Sequence, residues 1–183
     1  MNEVSASSNG RGGIAIVGKG SAPNFKTVCM QNTGAAFNFR FGILLFDVAK
    51  TLLFNIQTGF TFSQLDGRFG DGVAVSASDD VFLWNLTTAL NNRAGFSAFG
   101  TDPTEVTHIH LVGNIFSLNN FYNAVAEGNA TLHPHSSPTN ISGLCGSTTP
   151  FTAPPINAYC EQNSIPVNCS AIGVGLEPPD PTP

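Results

Sequence analysis

The sequence predicts an all-β protein, an antiparallel β-sandwich or jelly roll with one or two short helices and a loop-rich, proline-rich C-terminal segment. Apolar residues alternate with polar ones over short segments, turn-forming residues separate these segments, and prolines exclude long helices near the C-terminus. Charged residues make up 10% of the 183 residues and hydrophobic residues 42%. The chain therefore has enough apolar surface to fold, and hydroxyl and amide groups must cover most of its exterior.

The clearest strand is predicted after the turn-like residues 31–34. Apolar residues occupy every second position there, with Asn38, Arg40 and Gly42 between them. A period of two is typical of a strand with one buried face, whereas a helix would scatter these residues around its axis. The predicted buried face consists of Phe37, Phe39, Phe41, Ile43 and Leu45.

Further short strands are predicted where β-branched and apolar residues lie between turn signals, one of which is the Gly-Asp-Gly sequence at residues 70–72. Residues 81–86 fit either a strand, which we favour, or a helix capped by Asp79 or Asp80. The additional strands are predicted at residues 14–17, 26–30, 52–62, 73–75, 81–86 and 106–112.

One segment, residues 121–127, is predicted to be helical. Asn119 or Asn120 can cap its start, and Gly128 can end it. We identify no internal repeat in the sequence. The length predicts one domain, a β-sandwich over residues 13–174, preceded by a flexible N-terminus (1–12) and followed by a disordered proline-rich tail (175–183).

All four histidines fall in two His-x-His pairs, His108 with His110 and His133 with His135. Residues two apart on a strand share a face, so the first pair can close on one ion. Pro134 places the second pair on a loop or an edge strand. Four imidazoles suit zinc or copper(II), and the sequence therefore predicts a metal site formed by His108, His110, His133 and His135.

The alternative is that both pairs simply lie on the surface. Glu105, Asp102 and Glu127 are the nearby carboxylates that a metal site could use, and their spacing selects none of them. Trp84 fits a sugar-stacking platform, although a single tryptophan in an apolar segment is more often part of the core.

The four cysteines are even in number and contain no Cys-x-x-Cys motif, so we expect disulfides rather than a zinc finger. Three of them lie in the proline-rich C-terminal segment, and the pairing among the four stays open between three possibilities. Four sequons also permit glycosylation. The cysteines are Cys29, Cys145, Cys160 and Cys169, and the sequon asparagines are Asn85, Asn129, Asn140 and Asn168.

The net charge of −5 and the scattered basic residues argue against a nucleic-acid partner. No apolar run approaches the roughly 20 residues of a membrane-spanning helix, and the N-terminus shows no secretory signal. Low charge and abundant aromatic residues favour a structural or interaction protein, a homo-oligomeric subunit of an extracellular or virion-surface assembly such as a coat or filament. The alternatives are a secreted zinc or copper enzyme and a carbohydrate-binding module.

Overall fold

The computed structural model describes residues 1–18, 28–63, 69–99, 107–119, 122–127, 130–134 and 145–148. These residues are arranged almost entirely as strands. The described strands are β1 (Ser5–Ser7), β2 (Ile14–Val17), β3 (Val28–Ala36), β4 (Phe41–Phe46), β5 (Ala49–Gly59), β6 (Asp71–Ser76), β7 (Asp79–Ala89), β8 (Ala94–Phe99), β9 (Thr107–Leu118), β10 (Tyr122–Glu127), β11 (Ala130–Pro134) and β12 (Cys145–Thr148).

The strands form two parallel sheets, and the chain passes from one sheet to the other at every turn. Sheet A has the order β1-β3-β5-β7-β9-β11, and sheet B has the order β12-β10-β8-β6-β4-β2. Every pair among the described strands is parallel, as in the pairing of Ala49 with Asp79, 30 residues later. The fold is a parallel β-solenoid, so the all-β prediction is confirmed and the prediction of an antiparallel β-sandwich or jelly roll is wrong.

The main core lies between the two sheets. It contains the inward-facing residues of both, among them Leu53, Leu83 and Leu111 from sheet A and Ile43 and Phe96 from sheet B. Because residues in register on successive strands meet at the strand spacing of about 4.8 Å, similar residues stack along the solenoid axis. This stacking buries one continuous apolar core that no single coil would have alone.

The turn from sheet A to sheet B has a polar interior built on asparagine. Asn38 and Asn91 are both fully buried. Asn38 Oδ1 accepts hydrogen bonds from the backbone and side-chain amides of Asn9, at 3.1 and 2.9 Å. Asn119 Oδ1 receives the same two bonds from Asn91, at 3.0 and 2.8 Å. These asparagines satisfy backbone groups that the turns would otherwise leave buried without a partner.

These turns contain a sequence repeat, so the expectation of no internal repeat is wrong. The pattern Asn-x-Arg-x-Gly occurs at residues 9–13, 38–42 and 91–95. Its glycines line up in sheet B, where a Cβ at Gly42 would lie 2.6 Å from the carbonyl oxygen of Gly72. Glycine is therefore required by the close approach of the next coil.

Residues in the left-handed backbone conformation also line up from coil to coil. One such column lies within the strands of sheet A, at Asn32, Asn55 and Asn85, with φ between 49° and 53°. The turn predicted at residues 31–34 therefore lies within β3. Asparagine tolerates this conformation better than most residues, and its side chain bonds along the column: Asn55 Nδ2 donates to Asn32 Oδ1 at 2.7 Å.

Three local predictions need correction. Phe37 and Phe39 are 49% and 46% exposed, because the chain turns between β3 and β4 instead of continuing as one strand. Gly-Asp-Gly at residues 70–72 was predicted as a turn, but Asp71 and Gly72 are the first residues of β6. The helix predicted at residues 121–127 is not formed over its described part, residues 122–127, which are β10 because β8 and β12 pair with them on both sides.

Strands predicted at residues 14–17, 52–62, 73–75 and 81–86 correspond to β2, β5, β6 and β7. Strand β1 lies within residues 1–12, and the predicted tail at 175–183 lies outside the described residues. None of the described segments is a helix long and apolar enough to cross a membrane.

Candidate functional site

A column of exposed apolar side chains follows the turn from sheet A to sheet B. Phe37 and Phe60 occupy equivalent positions in successive coils, and their rings stack with centroids 4.8 Å apart and planes 5° apart. Phe39 and Phe62 also pair, with centroids 5.5 Å apart, but their ring planes are tilted by 42°. We call this surface the aromatic corner; it comprises Phe37, Phe39, Phe60, Phe62, Phe69, Leu90 and Leu118, which are between 39% and 53% exposed.

The backbone places these side chains at a conformational cost. Phe37, Phe60 and Leu90 have φ of 55°, 52° and 55°, in the left-handed region. This conformation costs a residue with a Cβ about 1–2 kcal/mol, and glycine or asparagine would adopt it more easily. The chain thus holds bulky apolar residues where smaller polar residues would be both less strained and more soluble.

The outer face of sheet A carries the first histidine pair. His108 and His110 alternate along β9 with Ile109 and Leu111, which belong to the core, so the imidazoles lie on the opposite face. Their shared orientation was predicted from the His-x-His spacing. Because Ile109 and Leu111 are anchored in the core, the position of the pair on this face is fixed.

Each histidine of this pair contacts an aspartate on the neighbouring strand β7. His108 Nδ1 lies 2.6 Å from Asp79 Oδ1, and His110 Nε2 lies 3.5 Å from Asp80 Oδ1. From the sequence, the expected carboxylates were Glu105, Asp102 and Glu127, and Asp79 and Asp80 were not predicted as partners of the histidines. They lie almost one coil earlier in the sequence, so recognition of the repeat would have found them.

The second histidine pair is only partly described. His133 lies on β11, at the edge of sheet A among the described strands, where it pairs in register with His110. For His133 this position agrees with the prediction that Pro134 places the pair on a loop or an edge strand. His135, like the carboxylates Asp102 and Glu105, lies outside the described residues.

An apolar cluster lies beside His110 on the outer face of sheet A. This outer cluster consists of Leu52, Phe82, Trp84 and Val112, and all four are at least 93% buried. The His110 ring stacks on Phe82 with centroids 4.4 Å apart and planes 12° apart. Trp84, only 2% exposed, is therefore a packing residue and offers no open platform for a sugar.

The remaining predicted residues give less information. Cys29 is disulfide-bonded and packs against the outer cluster. Cys145 begins β12, and Cys160 and Cys169 lie outside the described residues. Among the sequon asparagines, Asn85 lies in β7, whereas Asn129, Asn140 and Asn168 lie outside the described residues.

A small cleft on sheet A is lined by amides and hydroxyls. Its volume is about 240 Å³, and its lining includes Asn32, Asn55 and Gln57. Pockets that bind small molecules usually have volumes of about 300–1,000 Å³ and are mainly apolar. We therefore assign no ligand to this cleft.

The fold and these surfaces define the class of protein as a parallel β-solenoid with an exposed aromatic corner and a histidine–aspartate face. Comparison of the chain with protein-family models, curated proteins and solved structures gives no match.

Proposed function

We propose that this chain is a structural or interaction protein, a β-solenoid subunit of an assembly, and that it associates with further copies of itself through the aromatic corner. The observation that carries the proposal is the in-register column of exposed, backbone-strained Phe37, Phe60 and Leu90. The left-handed backbone lowers the stability of the free chain, and the exposed apolar side chains lower its solubility. Such strain persists where it serves a function, and a binding surface is the function that large apolar side chains serve best.

The size of the corner fits a second copy of the chain. From the exposed fractions of its seven side chains, the corner offers about 600 Å² of apolar surface. Two copies packed corner to corner would bury about 1,200 Å², the lower end of the range for specific protein interfaces. The regular column also suits a partner with the same repeat, since a copy of the chain has the same spacing between coils.

We propose an extracellular or virion-surface location for this assembly. The disulfide at Cys29 supports an oxidising environment, because disulfides rarely persist in the cytosol. The low fraction of charged residues, 10%, supports extensive contact between subunits, since interface cores are depleted in charge.

Sedimentation velocity over a range of protein concentrations tests self-association. We expect the wild-type chain to form dimers or larger species as the concentration rises. The double variant Phe37→Asn and Phe60→Asn should stay monomeric, because it removes the stacked pair from the corner. Asparagine accepts the left-handed conformation, so the variant should keep the β-type circular dichroism spectrum and the melting temperature of the wild type.

Phe46→Thr serves as the matched control. Phe46 is 40% exposed and lies at the end of β4 that is far from the corner, so its removal should leave the association unchanged. A wild-type chain that stays monomeric at all concentrations would overturn the proposal. So would equal weakening of association by the control and the corner variant, since that would indicate nonspecific adhesion of exposed phenylalanines.

A further inference from the structure

We propose that residues 149–183, which we call the terminal segment, pack over the outer cluster and are held there by a disulfide bond from Cys29 to Cys160 or Cys169. The terminal segment lies outside the described residues, whereas the face of sheet A that it would cover is described. On that face the outer cluster is buried, and Cys29 beside it is disulfide-bonded.

The outer cluster is buried on a face that no described strand covers. The described strands all belong to sheet A or sheet B, so none of them forms a layer over the outer face of sheet A. The four side chains of the cluster are nevertheless only 0% to 7% exposed. Neighbours within one sheet cover only the flanks of a side chain, so burial to this degree requires another part of the chain above the sheet.

The other half of the same face is open to solvent. Phe82 on β7 and Phe116 on β9 each stand next to a residue of the main core, so both rings lie on the outer face. Phe116 is 44% exposed, whereas Phe82 is only 7% exposed. The part of the chain that covers the cluster therefore lies over one half of this face and leaves the other half free.

Cys29 lies in the covered half of the face. Strand register sets Cys29 beside Leu52 and Leu52 beside Phe82, so the three residues form one row across sheet A. Cys29 also packs against the outer cluster. The residue that bonds to Cys29 therefore brings its own segment of the chain next to the cluster.

Cys145 is too far from Cys29 to be its partner. It begins β12 at one end of sheet B, whereas Cys29 lies in β3 near the other end of sheet A. Four strand spacings of about 4.8 Å separate the coils of these two strands, which gives about 19 Å. The Cα atoms of a disulfide are about 4.4–6.8 Å apart. Since the chain has four cysteines, the partner of Cys29 is Cys160 or Cys169.

The terminal segment has the length and the composition that this position requires. From Thr148, which ends β12, to Cys160 the chain can span about 40 Å at about 3.3 Å per residue. This reach exceeds the separation between the two ends of the sheets. The segment also contains apolar side chains that can pack on the cluster, among them Phe151, Ile156 and Tyr159.

Disulfide mapping of the oxidised full chain tests the bond. Digestion below pH 7 limits thiol exchange, which requires a thiolate. Cleavage after Phe151 and Glu161 separates the three candidate cysteines from one another. Mass spectrometry should find the Cys29 peptide joined to the peptide of Cys160 or of Cys169. A bond from Cys29 to Cys145, or a free thiol at Cys29, would overturn the proposal.

The fluorescence of Trp84 tests the cover, because Trp84 is the only tryptophan of the chain and belongs to the outer cluster. Acrylamide should quench this fluorescence weakly in the wild type. Quenching should rise about twofold or more in Cys29→Ser, because a segment without its disulfide packs more weakly on the cluster. The double variant Cys160→Ser and Cys169→Ser should show the same rise. Cys145→Ser is the matched control and should resemble the wild type, since the bond to Cys29 remains.

Circular dichroism shows whether each variant keeps the β-type spectrum of the wild type. The proposal is overturned if Cys29→Ser and the double variant keep that spectrum and protect Trp84 as well as the wild type does. The disulfide map uses the wild-type chain, so it decides the proposal even where a variant fails to fold. The cover is independent of the aromatic corner, which lies along the turn after sheet A.

Discussion

Arg93 holds the buried carboxylate of Asp71 with two hydrogen bonds, from Nε at 2.8 Å and from an Nη atom at 2.6 Å. Asp71 begins β6 and is completely buried, whereas Arg93 lies in the turn before β8. The hydroxyl of Ser97 donates a third bond to the same carboxylate at 2.8 Å. The buried charge of Asp71 in β6 is thus paired and hydrogen-bonded by Arg93 and Ser97 of the next coil.

Arg93→Ala should lower the free energy of unfolding by about 3 kcal/mol, because it leaves the buried charge of Asp71 without its main partner. Urea denaturation followed by circular dichroism measures this change. Arg11→Ala is the control, since Arg11 occupies the equivalent position of the Asn-x-Arg-x-Gly repeat but is exposed. Equal losses in the two variants would show that the ion pair with Asp71 adds nothing.

Asn91→Ala should cost about 1–3 kcal/mol of stability, the penalty for leaving a buried polar group without its hydrogen bond. Asn91 Oδ1 accepts the backbone N–H of Thr61 at 3.1 Å, inside the turn between the sheets. Gln57→Ala, an exposed change on β5, should alter stability by less than about 0.5 kcal/mol. Thermal melts of both variants compare the two effects, and a similar small shift in each would contradict the structural role of Asn91.

Gly95→Ala should destabilise the solenoid by about 1–3 kcal/mol, because its Cβ would overlap the side chains of Thr88, Ser117 and Asn119. These three form a hydrogen-bonded group, in which the Thr88 and Ser117 hydroxyls lie 2.7 Å apart. Gly34→Ala is the matched control, since its Cβ would meet one carbonyl oxygen at 3.9 Å. Its stability should stay the same or rise slightly, and loss of stability in Gly34→Ala alone would overturn this prediction.

The sequence predicted strands well and their arrangement poorly, for a physical reason. Alternation at residues such as 81–86 reports that one face of a strand is buried, and it is the same whether the neighbouring strand runs parallel or antiparallel. Evidence for parallel pairing lay elsewhere, in the repeated Asn-x-Arg-x-Gly pattern of residues 9–13, 38–42 and 91–95. Such a repeat indicates a solenoid, because each copy stacks on the next.

Alternation also does not report where the chain turns or which strands pair, and this explains the errors at particular residues. The alternation of Phe37 and Phe39 with polar residues continues through a turn, where the left-handed backbone at Phe37 and Arg40 changes the direction of the side chains. Capping residues alone predicted a helix at residues 121–127, although pairing with β8 determines the structure of residues 122–127. For the histidines, spacing predicted the shared face of His108 and His110, whereas Asp79 became a neighbour only through the fold.

Phe39→Asp distinguishes the buried position that the sequence predicted for Phe39 from its exposed position in the solenoid. If Phe39 were in the core, an unpaired charge there would cost several kcal/mol, as the sequence alone predicts. In the solenoid Phe39 is 46% exposed, so we expect a loss of about 1 kcal/mol or less, mainly from its contact with Phe62. Phe96→Ala, at a fully buried position in β8, should cost about 3–5 kcal/mol.

The same Phe39→Asp variant should also lose self-association, because a carboxylate in the aromatic corner would have to be buried, and would face its own copy in a symmetric dimer. Urea denaturation and sedimentation velocity on one preparation measure both properties. The expected outcome is a stable monomer whose association returns partly as the pH falls, since protonation removes the new charge. A Phe39→Asp variant that unfolds as readily as Phe96→Ala would place Phe39 in the core and contradict the exposed corner.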